Sequence, residues 1–182
     1  TKIKKVREVP KTRIFEILPF YYNILVRKYY LFFMQFIMSL HDFLPCKVGL
    51  NVYSKSWDTM HAEHNRFAYH FNGDYTGFDT ATPRVLMMRI ADMVSELACD
   101  GRENAIVRRN LMRMAVERRI LVLRDLYQVK GGTPSGFALT VIINSVVNQF
   151  YLMWAWRKIM SRIDPGLVPY RVMRSHCTFS VY

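Results

Sequence analysis

The feature that most constrains this fold is a helix-length apolar run with a polar stripe down one side. From about residue 139 to 160 the chain is dominated by Val, Ile, Phe, Leu and Trp, yet Thr140, Asn144 and Asn148 recur at i, i+4 and i+8. That spacing puts all three on one helix face. Buried amides and hydroxyls are costly unless paired. The stripe therefore faces hydrogen-bonding groups, and an internal polar network is one way to supply them. The segment before it, Gly131-Gly132-Thr133-Pro134-Ser135-Gly136, holds glycines and a proline ahead of a helix. Such a loop is shaped and exposes backbone N–H groups.

A second dense stretch is Gly73-Asp74-Tyr75-Thr76-Gly77-Phe78-Asp79. Upstream, Phe67, Tyr69 and Phe71 alternate with Ala68, His70 and Asn72, the period of a half-buried strand. The expected strand delivers Asp74 to its C-terminal end. Gly77 permits a tight turn, and Asp79 opens the next segment. A carboxylate held at a strand end is a good place to fix Mg²⁺, which takes a few rigid carboxylate oxygens plus substrate phosphates. Taken alone, the spacing also describes a surface turn with two solvated acids.

The remaining text is mostly helical. Residues 18–44 read as helix, with Phe33, Phe36, Ile37 and Leu40 forming a core-facing stripe. Residues 57–66 read as a short polar helix or turn. Thr82 is placed to cap, and Pro83 to occupy the first position, of a helix ending near Asp100-Gly101. A second helix, about 103–118, carries Arg102, Arg108, Arg109, Arg113, Arg118 and Arg119 against Glu103 and Glu117. It is either a solvated basic face or a nucleic-acid contact. Residues 120–123 and 126–129 read as a hairpin, residues 168–174 as a strand or loop, and residues 177–182 as a strand. At the other end, Lys2, Lys4, Lys5, Arg7, Lys11 and Arg13 oppose only Glu8, and Pro10 forbids a continuous helix there. This reads as an extended basic arm, either solvated or reading phosphates.

Composition narrows the partners. With 26 basic and 14 acidic residues the formal charge is +12, which suggests a polyanion, either nucleic acid or an anionic membrane surface. At 182 residues and 51% hydrophobic, the chain can build one sizeable core or two small lobes. Cys46, Cys99 and Cys177 are scattered and odd in number, as expected of free thiols in a reducing compartment. No signal peptide is legible. The greasiest uncharged segment, residues 29–40, falls short of the roughly 18–20 residues that a membrane span needs. The chain begins Thr1-Lys2 and ends on the apolar run Cys177-Thr178-Phe179-Ser180-Val181-Tyr182, as expected of a piece of a longer polypeptide.

Taken in order, these motifs carry a resemblance. Asp74-x4-Asp79, followed by Gly-Gly-x-Pro-Ser135-Gly136-x3-Thr140-x3-Asn144, is similar to motifs A and B of viral RNA-dependent RNA polymerases. The match is closest to the picornavirus-like group of positive-strand RNA viruses. The basic run ending Lys11-Thr12-Arg13 resembles motif F, and Phe179-Ser180-Val181-Tyr182 resembles the start of motif C. The resemblance spans the chain. It implies an α+β right-hand polymerase fold, with an antiparallel palm sheet packed by helices, helical fingers and no thumb in this piece. Residues 1–66 would be fingers, 67–101 palm, 102–131 an insertion toward the fingers and 132–182 palm. Asp74 would ligate the catalytic Mg²⁺ or Mn²⁺, of which two ions are expected in the complete enzyme. Asp79 and Asn144, helped by Ser135 and supported by Thr140, would read the ribose 2′-OH. Lys11 and Arg13 would contact the triphosphate, and residues 132–136, Gly136 included, would form a mobile loop beside the nascent base pair.

The function so implied is template-directed transfer of nucleoside monophosphates from NTPs to an RNA 3′ end, inside a viral replicase. RNA template and primer and other viral replication proteins would be its partners. The host cytoplasm, in a membrane-associated replication complex, would be its location. The chemistry of the residues agrees: nucleotidyl transfer is accelerated by positioning and charge neutralisation, and the 2′-OH is the group that distinguishes RNA from DNA. This piece alone is expected to be inactive, because Asp74 can hold only part of a metal cluster. Two other classes fit parts of the text: a non-catalytic single-stranded RNA-binding module, and a basic membrane-surface protein built on the aromatic helix. The second leaves residues 74–79 and 131–148 unexplained.

Overall fold

The computed structural model describes residues 15–181. Its elements run α1 (Phe20–Ser39), α2 (Lys55–His64), α3 (Phe78–Ala81), α4 (Arg84–Ala98), α5 (Arg102–Val116), β1 (Glu117–Val122), β2 (Asp125–Lys130), α6 (Thr140–Ile163), a 3₁₀ turn (Pro165–Leu167) and α7 (Tyr170–His176). The chain is mixed: helices around one core, with a small antiparallel hairpin.

That core joins α1, α4, α5 and α6. In α1 the buried stripe is Tyr22, Val26, Tyr30, Phe33 and Ile37, a run of four- and three-residue steps that holds one face. Phe36, expected in the stripe, is 46% exposed instead. Both buried tyrosines donate their hydroxyls to carbonyls of α5, Tyr22 to Leu111 O at 2.8 Å and Tyr30 to Arg108 O at 2.8 Å. Burial raises the pKa of each phenol well above its usual value, so the hydroxyls remain donors. From α4, Met87, Ala91 and Val94 are fully enclosed. Burying a side chain the size of Met87 or Val94 contributes roughly 1.5–3 kcal/mol.

A tight turn joins α4 to α5. Cys99 adopts a left-handed φ of 48° and Gly101 a φ of 97°, which stops α4 and reverses the chain. Asp100 in that turn grips the Arg108 guanidinium through both carboxylate oxygens. Arg108 is 2% exposed, donates to Tyr29 O at 2.9 Å and lies over the Phe32 ring. This arginine of the basic stretch is therefore a core strut. Arg109 pairs with Asp92, and Arg118 is engaged with Glu16. Arg102, Arg113 and Arg119 are exposed.

Four expectations differ from the structure. Residues 67–71 do not form a strand. They bend at Phe67 and Ala68 and carry no ladder, and Tyr69 and Phe71 stand 95% and 92% exposed. Alternation makes a strand only where another strand accepts its N–H and C=O groups, and the described residues offer none. Residues 177–181 likewise form no strand and make one parallel bridge, Cys46 to Val181. The hairpin expected at residues 120–123 and 126–129 is present, and longer than expected, as β1 and β2, paired from Glu117–Lys130 to Val122–Asp125. Leu123 at its turn has a φ of 57°. Residues 170–176 are helical, as α7. At α4, Thr82 does not cap; its hydroxyl donates back to Phe78 O at 3.1 Å, and Pro83 occupies the cap position.

Candidate active site

The polar stripe of α6 has partners for every member. Thr140 Oγ1 lies 2.9 Å from Pro134 O and 2.8 Å from Phe137 O, and its single proton serves one at a time. It ties the loop to the helix start and does not touch Asp79. One turn on, Asn144 Nδ2 donates to Asp79 Oδ1 at 2.5 Å. One turn further, Asn148 Oδ1 accepts from the Tyr75 hydroxyl at 3.1 Å.

Asp79 is the hub. It lies in the first turn of α3, whose left-handed cap is Gly77 at φ 68°. Its second oxygen, Oδ2, accepts from Ser135 Oγ at 3.3 Å. The main chains are stitched as well: Thr133 N donates to Asp79 O at 2.6 Å and Gly132 N to Thr82 O at 2.9 Å. Gly132 is required here. Its φ is 67°, and a Cβ would meet Asp79 O at 3.0 Å. Asp79, Ser135 and Asn144 thus converge from three segments on one carboxylate. Asn144 Oδ1 remains buried with no partner among the described residues. The cluster therefore has an acceptor to spare, which suits a ligand that brings a hydroxyl donor.

Asp74 stands apart from this network. It is exposed and lines a cleft of about 600 Å³. One wall is residues 67–75, the other is residues 176–181, and α6 contributes Asn148 and Leu152. The second wall is braced from α2, where Glu63 Oε1 accepts from Thr178 Oγ1 at 2.9 Å and His64 Nε2 lies 2.8 Å from Ser180 Oγ. Asp74 thus faces the segment resembling the start of motif C. As a donor set for Mg²⁺ this is partial. Asp74 supplies one hard oxygen ligand, and the described residues contain no cluster of three or more metal-ligating side chains. Lys11, Arg13 and Tyr182 lie outside the described residues. Gly136 is exposed, with a φ of 128°.

Three contributors were not legible beforehand. Tyr75 packs on Phe78 at 4.8 Å between ring centroids and reaches Asn148; its place directly after Asp74 was the available signal. Glu16 and Arg118 buttress the loop from behind, and no spacing rule links residues so distant in sequence.

Comparison with known proteins adds an independent finding. A family model described as viral RNA-dependent RNA polymerase matches residues 1–182. The RNA1 polyprotein of Satsuma dwarf virus is 58% identical over 86% of the chain. The RNA1 polyprotein of Cherry rasp leaf virus is 38% identical over 98%, and that of Cowpea mosaic virus 37% identical over 87%. The chain covers 8% of each of these polyproteins.

Proposed function

This chain belongs to the viral RNA-dependent RNA polymerase family, and from that premise we propose that it forms part of the fingers and palm of an enzyme that extends RNA on an RNA template. Residues 1–66 and 102–131 would be fingers, with residues 67–101 and 132–182 as palm. One observation carries the reading: Asp79, Ser135 and Asn144 meet at one carboxylate, beside a cleft rimmed by Asp74. A carboxylate flanked by a hydroxyl and an amide offers both acceptors and donors to a ribose 2′-OH. Asn144 Oδ1, buried without a donor, is a further acceptor for that hydroxyl.

In this reading the chain's own groups bind and orient. The loop of residues 131–136 holds Ser135 over the sugar, Asn144 and Asp79 sense its 2′-oxygen, and the aromatic wall of the cleft stacks bases. The basic arm with Lys11 and Arg13 would neutralise the triphosphate. Mg²⁺ or Mn²⁺, when bound, would stabilise the charge on attacking and leaving oxygens; Asp74 would hold it, together with carboxylates beyond the described residues. Template and primer RNA, NTPs and other viral replication proteins would be partners, in the host cytoplasm at a membrane-bound complex. Among the described residues no helix is long and apolar enough to cross a membrane.

The test is template-directed nucleotide incorporation by the complete polymerase carrying Asp74→Ala. Incorporation should be abolished; a near-normal rate would sink the metal assignment. A second reading, an RNA-binding module without catalysis, draws on the +12 charge and on the lone Asp74 carboxylate. It describes what this piece would do in isolation. The complete wild-type chain decides between them, since a binding module shows no metal-dependent elongation.

A further inference from the structure

The loop that carries Ser135 is an awkward piece of backbone. Gly131 and Gly132 are both left-handed, at φ 97° and 67°. Two such residues in succession place their carbonyls where no helix or sheet takes them up. Among the described residues one side chain satisfies both. Arg118 Nη1 lies 3.0 Å from Gly131 O and 3.2 Å from Gly132 O, and also 3.0 Å from Ala115 O. Its other face is held by Glu16, with Nε to Oε2 at 2.5 Å and Nη2 to Oε1 at 2.6 Å. The pair is largely enclosed, Arg118 at 10% and Glu16 at 18% side-chain exposure. A planar fork can grip a carboxylate on one edge and carbonyls on the other; an ammonium cannot.

Glu16 also holds the far end of the same loop. Its backbone N–H donates to Ser135 O at 2.7 Å, and its carbonyl lies against Gly136, where a Cβ would come within 2.5 Å. Glu16 and Arg118 therefore strap the loop from Gly131 to Gly136. The opposite side of the loop bonds to α3 and, through Ser135, to Asp79. With the strap in place, the backbone of Ser135 is held where its Oγ reaches Asp79 Oδ2 at 3.3 Å.

We propose that Arg118, fixed by Glu16, is a positioning residue that sets the sugar selectivity of the polymerase by holding Ser135 on Asp79. It touches no substrate and acts through the loop. The proposal rests on the reading of Asp79, Ser135 and Asn144 as the ribose sensor. Because Glu16 follows the basic arm in sequence, the strap also joins the segment expected to read phosphates to the loop expected to read sugar.

The experiment measures kcat/KM for an rNTP and for the matching dNTP in the complete polymerase, with Arg118→Lys, Glu16→Gln and, as reference, Asp79→Ala. Arg118→Lys keeps the charge and loses the fork. Its rNTP-over-dNTP ratio should fall about three- to thirtyfold, on the scale expected when a positioned group is misplaced. The rNTP KM should rise more than kcat falls. Glu16→Gln should shift the ratio in the same direction by less, and it serves if the lysine variant does not fold. A purely structural ion pair would lower the melting temperature and leave the ratio at its wild-type value; that result in a folded variant overturns the proposal. If Asp79→Ala lowers the ratio and both strap variants leave it alone, the strap fails while the sensor stands. If Asp79→Ala leaves the ratio unchanged, the sensor fails and the proposal with it.

Discussion

At the scale of single residues, Asp74 and Asp79 look alike in sequence and live in different surroundings. Asp79 is half-buried and receives an amide and a hydroxyl. Asp74 is exposed on the cleft rim. The difference has separable consequences. Asp74→Ala, which removes an exposed carboxylate, should change folding stability by no more than about 0.5 kcal/mol while abolishing incorporation. Thermal unfolding and activity of the same preparation check both halves. A large drop in stability would mean that Asp74 is a structural group whose partners lie outside the described residues. The division of roles was legible only through the resemblance to viral polymerases; the Thr140, Asn144, Asn148 spacing by itself required polar partners without naming them. What no spacing could tell is which member meets which group. Thr140 serves the loop carbonyls, and Asn148, left without a role, takes Tyr75.

At the scale of elements, the long helices and the hairpin of residues 120–123 and 126–129 were legible, while the short helix α7 and the lone segments 67–71 and 177–181 were not. Helical periodicity reports burial against a neighbour, and α1, α4, α5 and α6 all have one. Residues 67–71 show the converse. Their alternation satisfies the pattern of a strand, but a strand also needs a partner at hydrogen-bonding distance, and that is a property of the fold. The basic stretch teaches a related point. Arg108, Arg109 and Arg118 looked like a surface for polyanions, but each is committed to an acid. The Arg108 pair anchors the α4–α5 turn to α1. Removing its side chain leaves a cavity and several unmatched buried groups, so Arg108→Ala should cost about 2–4 kcal/mol in denaturant unfolding. The hydrogen bond from Arg108 holds the Asp100 carboxyl below its usual pKa. The sign follows: a carboxylate whose folded pKa is depressed stabilises fully above its unfolded value of about 4, and loses that contribution as pH falls through the lower folded value. Asp100→Asn should therefore flatten the acid side of the stability–pH curve below about pH 4. An unchanged curve would mean that the pair is not formed in solution.

At the scale of the whole molecule, the +12 charge has to be divided between internal ion pairs and free cations. Arg119 is exposed and makes no ion pair among the described residues; Arg108 is buried and paired. RNA binding by the complete polymerase should therefore lose about one unit of log Kd against log salt slope in Arg119→Ala, as expected for one lost phosphate contact. Arg113→Asn should behave similarly if its exposed face lies on the RNA path, and an unchanged slope in both would move that path away from α5 and β1. The central claim is that the Asp79, Ser135 and Asn144 cluster chooses the sugar. Its most direct test is the rNTP-over-dNTP selectivity of the complete polymerase with Asp79→Ala and with Asn144→Ala. Selectivity should fall at least about tenfold in each, the scale of one lost discriminating hydrogen bond to a charged group; wild-type selectivity in both would contradict the account.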